Sequence, residues 1–289
     1  MSGLPRLIAT DLDGTLLRPG GELAPRTVAA LRAAVHRGVE VVVVTARPPR
    51  YLDAVGAALG VPVTAICANG AVHYDLVDRR VLSATTIPLD TARTVAALVA
   101  GLGGSLGLAV ETGSYVVCEP AFQLRHADDP GIREVTAPDL LWAQAEPLVK
   151  LMVWSGEQGA DELMAAVRAV VGDVVECTHS GGPGLLEISA AGVGKATALA
   201  AWCAERGIAA ADVVAFGDMP NDLGMLRWAG TGVAMANAHP SVLAEIAGRA
   251  PANDEDGVAV VIERLLAVAA PPVPEQARSP EHSVREQVQ

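Results

Sequence analysis

Two aspartates separated by a single leucine follow the first strand-like run of this chain. They belong to residues 11–15, which read DLDGT and come directly after the β-prone residues 7–10. In an open α/β fold, the carboxyl end of such a strand faces the crevice where ligands bind. Close carboxylates raise each other's pKa unless a cation lies between them. The spacing therefore indicates a metal-assisted site at Asp11 and Asp13, although an Asp-rich turn that caps a helix fits the same letters.

A hydroxyl and a backbone N–H follow the second strand-like run. Residues 39–45 read VEVVVVT, and their near-continuous valines predict a strand that is buried on both faces. At its end, Thr45 and the N–H groups that follow it suit a phosphate oxygen. A threonine also commonly ends a strand and caps the next helix, so this reading stays open. Arg47 is a candidate for contacting a substrate, and a surface arginine in a first helical turn fits it equally well.

A lysine and a polar hexapeptide stand in the last third of the chain. Lys195 opens a predicted helix against the helix dipole, so a compensating anion is expected. Residues 217–222 read GDMPND and follow another strand-like run. Asp218 would complete an oxygen-rich magnesium site with Asp11. Asp222 would pair with Lys195 and hold it in place. Taken singly, Lys195 also fits a solvated surface lysine. Asp218 and Asp222, each taken alone, also fit a helix start rich in Asp and Asn.

The elements that must position these groups alternate between strands and helices in two separated pieces. Residues 1–83 and 189–268 predict a Rossmann-like, doubly wound parallel sheet with right-handed crossovers, which is an α/β fold. In residues 84–188 the regular alternation of strands and helices stops. This segment predicts an inserted α+β cap domain with an antiparallel sheet. Residues 269–289 are rich in proline and charge, which predicts a disordered tail. Four strand ends would thus bring the polar groups to one edge of the core.

Composition excludes several classes of function. Of the 289 residues, 51% are hydrophobic and 3% aromatic, and the formal net charge is −12. An acidic chain with few aromatics predicts no nucleic-acid partner, since such partners need basic patches and stacking rings. The apolar runs are too short to span a bilayer, and no signal peptide is evident, so we expect a cytoplasmic protein without a membrane partner. We expect a monomer or a small homo-oligomer.

The cysteines argue against a thiol-based site. Cys67, Cys118, Cys177 and Cys203 are widely scattered and form no C-x-x-C pair. A disulfide framework and a zinc site built from cysteine pairs are therefore not expected. Buried thiols in a reducing compartment fit this distribution.

Taken together, the motifs resemble those of the haloacid dehalogenase (HAD) superfamily and, within it, the Cof-type phosphatases with a large α/β cap. The resemblance rests on DLDGT at residues 11–15, Thr45, Lys195, GDMPND at 217–222, AGTGVAMANA at 229–238 and NDEDGV at 253–258. The sequence departs from the family at Ala46 and Ala196, where glycine is usual. Because Ala46 keeps its backbone N–H, phosphate binding is expected to survive the change.

The resemblance implies a mechanism. Asp11 would attack phosphorus and form an aspartyl-phosphate, while Asp13 would protonate the leaving alcohol and then deprotonate water. Mg²⁺ would be held by the Asp11 and Asp218 carboxylates and the backbone carbonyl of Asp13. The residues implied to hold the phosphoryl oxygens are Thr45, Ala46, Lys195 and Asn221. Asp222 would orient Lys195.

The expected function is a phosphatase of small phosphorylated metabolites, such as a sugar phosphate, a nucleotide or a cofactor phosphate. Arg47, His179 and Ser180 are the candidates for contacting the rest of the substrate. A phosphomutase or phosphotransferase would use the same aspartyl-phosphate and remains an alternative. A binding module without catalysis is a third reading, and the presence of both Asp11 and Asp13 counts against it.

Overall fold

The structure, a computed structural model, describes residues 3–123, 131–136, 138–143, 145–181 and 184–269. The predicted tail at residues 269–289 lies outside them except for its first residue. No helix in the described parts of the chain is both long enough and apolar enough to cross a bilayer.

The first part of the chain forms five strands and two helices. The strands are β1 (Leu7–Thr10), β2 (Glu40–Val44), β3 (Thr64–Cys67), β4 (Val72–Asp75) and β5 (Arg80–Ala84), and the helices are α1 (Pro25–His36) and α2 (Asp53–Leu59). The sequence predicts one helix over residues 49–59, ended by Gly60, but this segment is divided, because a 3₁₀ turn at Pro49–Tyr51 precedes α2. The proline pair at 48–49 supplies no backbone N–H to a helix there.

The middle of the chain forms a second sheet. Its strands are β6 (Leu106–Glu111), β7 (Val116–Cys118), β8 (Ile132–Glu134), β9 (Lys150–Ser155), β10 (Val175–Thr178) and β11 (Leu185–Ala190). Its helices are α3 (Leu89–Ala100), α4 (Pro138–Ala143) and α5 (Ala160–Val171). The strand order is β10-β11-β9-β6-β7-β8. We call this sheet with its helices the cap.

The cap sheet is mixed, which corrects the prediction of a purely antiparallel sheet. Strands β7 and β8 pair in parallel, while the other neighbours pair antiparallel. The connection at residues 119–131 is long enough for a crossover, which parallel pairing requires. The strands also run past the predicted boundaries at 84 and 188, since β5 pairs in the larger sheet through Ala84 and β11 extends to Ala190.

The last part of the chain returns to the larger sheet. It forms α6 (Lys195–Glu205), β12 (Val213–Gly217), α7 (Leu223–Trp228), β13 (Thr231–Met235), α8 (Pro240–Glu245), β14 (Gly248–Ala250) and α9 (Gly257–Val268). The larger sheet has the order β14-β13-β12-β1-β2-β3-β4-β5 and is parallel from β14 to β3. The sequence pattern does not indicate β14, because its three residues carry only one apolar side chain.

The central strand β2 of the larger sheet is buried on both faces, which confirms the prediction from the valine run. Val41 and Val43 pack in one apolar cluster with Leu31 of α1. Val42 and Val44 pack on the opposite face, in the cluster that contains residues of α6 and α7. Alternate residues of a strand point to opposite faces, so helices on both sides cover the whole strand.

The parallel register brings the functional strand ends to one edge. Thr10, the last residue of β1, pairs with Val43 of β2 and with Phe216 of β12. The residues that follow these strands therefore leave the sheet side by side, as the parallel arrangement requires. Asp11, Thr45 and Asp218 occupy these three positions.

Candidate active site

A buried lysine lies between two buried aspartates at this edge. Lys195 Nζ donates to Asp11 Oδ1 at 2.5 Å and to Asp222 Oδ1 at 2.7 Å. Burial by itself disfavours the ammonium, but Asp11 and Asp222 outweigh it and raise the pKa of Lys195. The lysine is therefore charged, and its single charge stands against two carboxylates.

Asp222 has both oxygens engaged. Its Oδ2 accepts the backbone N–H groups of Asp218 at 3.0 Å and Met219 at 2.9 Å. A side chain at Gly217 would collide with the Asp222 carboxylate, so the turn closes only around glycine there. Asp222 thus joins the 218–222 turn to the Lys195 ammonium.

Asp218 brings a third carboxylate into the cluster. Carboxylate oxygens of Asp11, Asp218 and Asp222 lie within 4.8 Å of one another. Burial, together with the nearby Asp222 charge, raises the pKa of Asp218 to about 7. Burial likewise raises the pKa of Asp11. The single positive charge of Lys195 does not balance three carboxylates, so a further cation would stabilise the cluster.

The residues present fit a hard divalent cation. Asp11 and Asp218 offer only oxygen ligands, the donors that Mg²⁺ prefers. Gly14 has a φ of 76°, and a Cβ there would collide with the Asp218 carboxylate. The backbone that follows Asp13 therefore passes as close to Asp218 as glycine alone permits. Thr15 Oγ1 donates to Asp218 Oδ1 at 2.8 Å and orients that carboxylate.

Of the four residues predicted to hold phosphoryl oxygens, three line a cavity and one is buried beneath it. Lys195, Ala46 and Asn221 line a cavity above the sheet edge. Thr45 is fully buried, and its hydroxyl accepts the Arg47 N–H at 3.1 Å. Asn221 Nδ2 donates to the side-chain carbonyl of Asn69 at 3.0 Å.

The cavity lies between the sheet edge and the cap and has a volume of about 260 Å³. The sequence-predicted residues that line it are Asp11, Asp13, Ala46, Arg47, Ser180, Lys195 and Asn221. At its mouth, the Arg47 guanidinium donates to both oxygens of the Asp13 carboxylate, at 2.8 Å from Nε and 2.5 Å from Nη2. An arginine in this position can also grip a phosphate, which has the same acceptor geometry.

His179 is the candidate that the structure places elsewhere. Its ring is 2% exposed and does not line the cavity. Its Nε2 lies 2.9 Å from Asp161 Oδ1, and its ring meets His239 edge-on. The ring satisfies its hydrogen bond against the start of α5 and turns away from the site. Its predicted contact with substrate is therefore corrected, whereas the next residue, Ser180, faces the cavity.

Three charged cap residues in the site were not predicted. Glu111, Lys150 and Glu187 are buried and line the cavity. Glu111 pairs with Arg50 at 2.7 Å, and Lys150 pairs with Glu187. Glu187 interrupts the apolar strand β11, whereas Glu111 ends β6 and Lys150 begins β9. A charge buried in a strand requires a partner, so the interruption at Glu187 was the signal available in the sequence.

Comparisons with known proteins find relatives over most of the chain. The sequence model of the haloacid dehalogenase-like hydrolases matches residues 8–262. The pyridoxal phosphate phosphatase of Escherichia coli K12 is 30% identical over 83% of this chain and 90% of its own length. An HMP-PP phosphatase of Serratia proteamaculans is 32% identical over 82% of this chain and 86% of its own. A 5-amino-6-(5-phospho-D-ribitylamino)uracil phosphatase of Bacillus subtilis is 29% identical over 93% of this chain and its own full length.

Solved structures share the whole architecture. A haloacid dehalogenase-like hydrolase from B. subtilis superposes with a TM-score of 0.78 at 26% identity, covering 90% of this chain and 99% of that one. A Streptococcus mutans UA159 protein superposes with a TM-score of 0.79 at 24% identity, covering 91% and 99%. Because its sequence identity is only 24%, the similarity to the S. mutans protein shows a shared fold and nothing more.

Proposed function

This chain belongs to the haloacid dehalogenase-like hydrolases, and we propose that it is a magnesium-dependent phosphatase of small phosphorylated metabolites. The observation that carries the proposal is the buried Asp11–Lys195–Asp222 arrangement beside Asp218, at the floor of the cavity between the sheet edge and the cap. A carboxylate nucleophile, a fixed cation and an oxygen-only metal site are the groups that phosphoryl transfer needs. The names of the relatives support a phosphorylated metabolite as substrate.

In the first step, an Asp11 oxygen attacks phosphorus and the ester P–O bond breaks. The leaving alcohol takes its proton from Asp13, so an aspartyl-phosphate and a neutral alcohol result. Lys195 is already charged and held by Asp222, so it stabilises the phosphoryl oxygens without reorganising. Arg47 has to release Asp13 for this proton transfer, and the substrate phosphate offers the guanidinium a new partner.

In the second step, water attacks the phosphorus of the aspartyl-phosphate. Asp13 accepts the proton of the water, the bond to Asp11 breaks, and inorganic phosphate leaves. When bound at Asp11, Asp218 and the Asp13 carbonyl, Mg²⁺ supplies positive charge against the phosphoryl oxygens and relieves the repulsion between the carboxylates.

Removal of the metal should stop the reaction. We expect EDTA to abolish phosphate release and added Mg²⁺ to restore it, since the site otherwise carries uncompensated buried carboxylates. Asp218→Asn should raise the Mg²⁺ concentration needed for half-maximal rate by at least about tenfold, because loss of a ligand or its supporting contacts costs roughly that much affinity or more. A colorimetric phosphate assay over a Mg²⁺ titration measures both effects. Full activity in exhaustively chelated protein would contradict the metal assignment.

The cap contributes an apolar patch, the roof, to the cavity beside its charged residues. Val116, Phe122, Met152 and Leu185 line the cavity and pack together on the sheet face opposite the cap helices. Each hydroxyl of a polyol that lost its water against this roof without a new partner would cost about 1–3 kcal/mol. The apolar faces of an aromatic or heteroaromatic ring lose no such hydrogen bond. We therefore propose that the leaving group carries an aromatic or heteroaromatic ring.

A substrate panel tests this assignment. We expect kcat/KM for pyridoxal phosphate and other ring-bearing phosphates to exceed that for hexose phosphates by about tenfold or more, as one unfavourable polar contact predicts. Met152→Asp should narrow this preference by adding a charge to the roof. Equal rates for both classes would contradict the ring proposal. Assays that detect a phosphorylated acceptor beside free phosphate separate a phosphatase from a phosphotransferase.

A further inference from the structure

A chain of side-chain hydrogen bonds runs from the cap to Asn221. Lys150 of β9 donates to Glu187 of β11. Asn69 Nδ2 donates to the other Glu187 oxygen at 3.3 Å and also to Thr178 Oγ1 at 3.3 Å. Asn69 Oδ1 accepts from Asn221 Nδ2 at 3.0 Å. We call the sequence Lys150–Glu187–Asn69–Asn221 the relay.

Asn69 is held rigidly at the junction of cap and core. It has a φ of 57°, a left-handed conformation that asparagine tolerates better than most residues. Its backbone N–H donates to the Thr45 carbonyl at 3.0 Å, and its side chain is 1% exposed. The Asn69-Gly70 turn after β3 therefore does more than reverse the chain, because it places the Asn69 side-chain amide in the site.

The cap end of the relay is a buried ion pair. Lys150 and Glu187 are each 3% exposed. Burial alone raises the pKa of Glu187, but Lys150 and the hydrogen bonds from Asn69 and Ser180 outweigh burial and lower it. Lys150 Nζ also donates to the Ala46 carbonyl at 3.0 Å. The pair thus contacts both segments expected to hold phosphate, Ala46 directly and Asn221 through Asn69.

The direction of each hydrogen bond follows from the chemistry of Glu187. An ionised carboxylate only accepts, so Asn69 must present its Nδ2 to it. Asn69 Oδ1 then faces Asn221, which must present its own Nδ2. The Oδ1 of Asn221 is buried and has no hydrogen-bond partner among the described residues. Asn69 is therefore the contact that decides which way the Asn221 amide points.

We propose that Asn69 is a positioning residue: by holding one N–H of the Asn221 amide, it leaves the second N–H available to the phosphoryl group when the cap is docked. The proposal rests on the proposed function for its assignment of Asn221 to the phosphoryl oxygens. Without Glu187 against it, the Asn69 amide can rotate so that its Nδ2 faces Asn221. Asn221 must then present its Oδ1 to Asn69, and the orientation of its N–H donors is lost. Docking of the cap therefore also orients the Asn221 amide for binding the phosphoryl group.

Reversing the polarity of the relay tests the proposal. In Glu187→Gln, the single carbonyl oxygen is taken by Lys150, so the new amide presents a donor to Asn69 and turns it over. In Asn69→Asp, two carboxylates face each other. In the double variant, the new amide at position 187 donates to the new carboxylate at position 69, whose other oxygen again accepts from Asn221. The double variant therefore restores the original direction at Asn221 and conserves the net charge.

We expect Glu187→Gln, which turns the Asn221 donor away, to lower kcat about 10- to 100-fold, somewhat less than outright removal of an oriented donor costs. Asn69→Asp should lower kcat by a similar factor, because the two facing carboxylates repel each other and push the cap from its docked position. The double variant should recover about tenfold or more over either single variant, since coupled residues are not additive. The Kd of inorganic phosphate in the presence of Mg²⁺, measured by calorimetry, should follow the same order. Thermal melts check that each variant is folded. If one single variant does not fold, the other single variant compared with the double variant decides the question.

Asp161→Asn is the matched control. Asp161 belongs to the cap and contacts His179 at 2.9 Å and His239 of the core at 3.6 Å, and neither partner is a residue of the relay. We expect its kcat to stay within about twofold of the original protein, as for most surface changes. A folded double variant as impaired as the two single losses combined would overturn the proposal, and so would an equal loss in Asp161→Asn. Absence of phosphate release from the unaltered protein would instead contradict the phosphatase, while phosphate binding would still test the relay.

Discussion

Asp11→Asn should lower kcat for phosphate release by at least about 10⁴-fold, the scale seen when a nucleophile is removed. The amide cannot form an acyl phosphate, and Asp222 is not free to replace Asp11, since it is already bonded at both oxygens. The fold should persist, because asparagine has the same shape and removes one of three mutually repelling carboxylates. Lys195 keeps Asp222 as its partner in the variant.

A phosphate assay with milligram amounts of protein measures the residual rate, and circular dichroism with a thermal melt reports the fold. Asp78→Asn, in the exposed β4–β5 turn, is the control for the chemical change alone and should leave kcat unaltered. Incubation with substrate followed by rapid acid quench should trap a phosphorylated protein in the original chain and none in Asp11→Asn. A variant that retained substantial turnover would show that Asp11 is not the nucleophile.

Lys195→Met should have the largest effect on stability. It leaves Asp11 and Asp222 buried without their counter-ion, a change that typically costs about 3–5 kcal/mol of unfolding free energy. Activity should fall as well, by roughly 10²–10³-fold, because a fixed charge beside the phosphoryl oxygens is lost. Mg²⁺ should return part of the stability, since a second cation then faces the same carboxylates.

Urea unfolding with and without Mg²⁺ measures this change. Arg26→Met removes a cation that pairs with Glu263 at the surface, where solvent screens the pair, and should leave the unfolding curve nearly unchanged. If Lys195→Met unfolded at the same urea concentration as the original chain, the buried lysine would not hold the carboxylates together.

Much of the core followed from local patterns. The valine run of β2 predicted a strand covered on both faces, and the parallel order of strands brought Asp11, Thr45 and Asp218 to one edge. These inferences succeed because periodicity and strand direction are properties of short segments. Details that depend on neighbours were missed, such as the division of the helix at 49–59 and the short strand β14, whose pairing comes from β13 alone.

The sequence by itself determined the chemical set: two aspartates after β1, a lysine at the start of α6, the GDMPND turn, and the family that carries them. Tertiary structure decided which groups meet. It joined Asn69 to Glu187 and Asn221, brought Lys150 against Ala46, and turned His179 away from the cavity. These contacts link residues far apart in the chain, and a hydrogen bond between such residues leaves no period or spacing in the sequence. Only the packing of cap on core brings their donors and acceptors within reach.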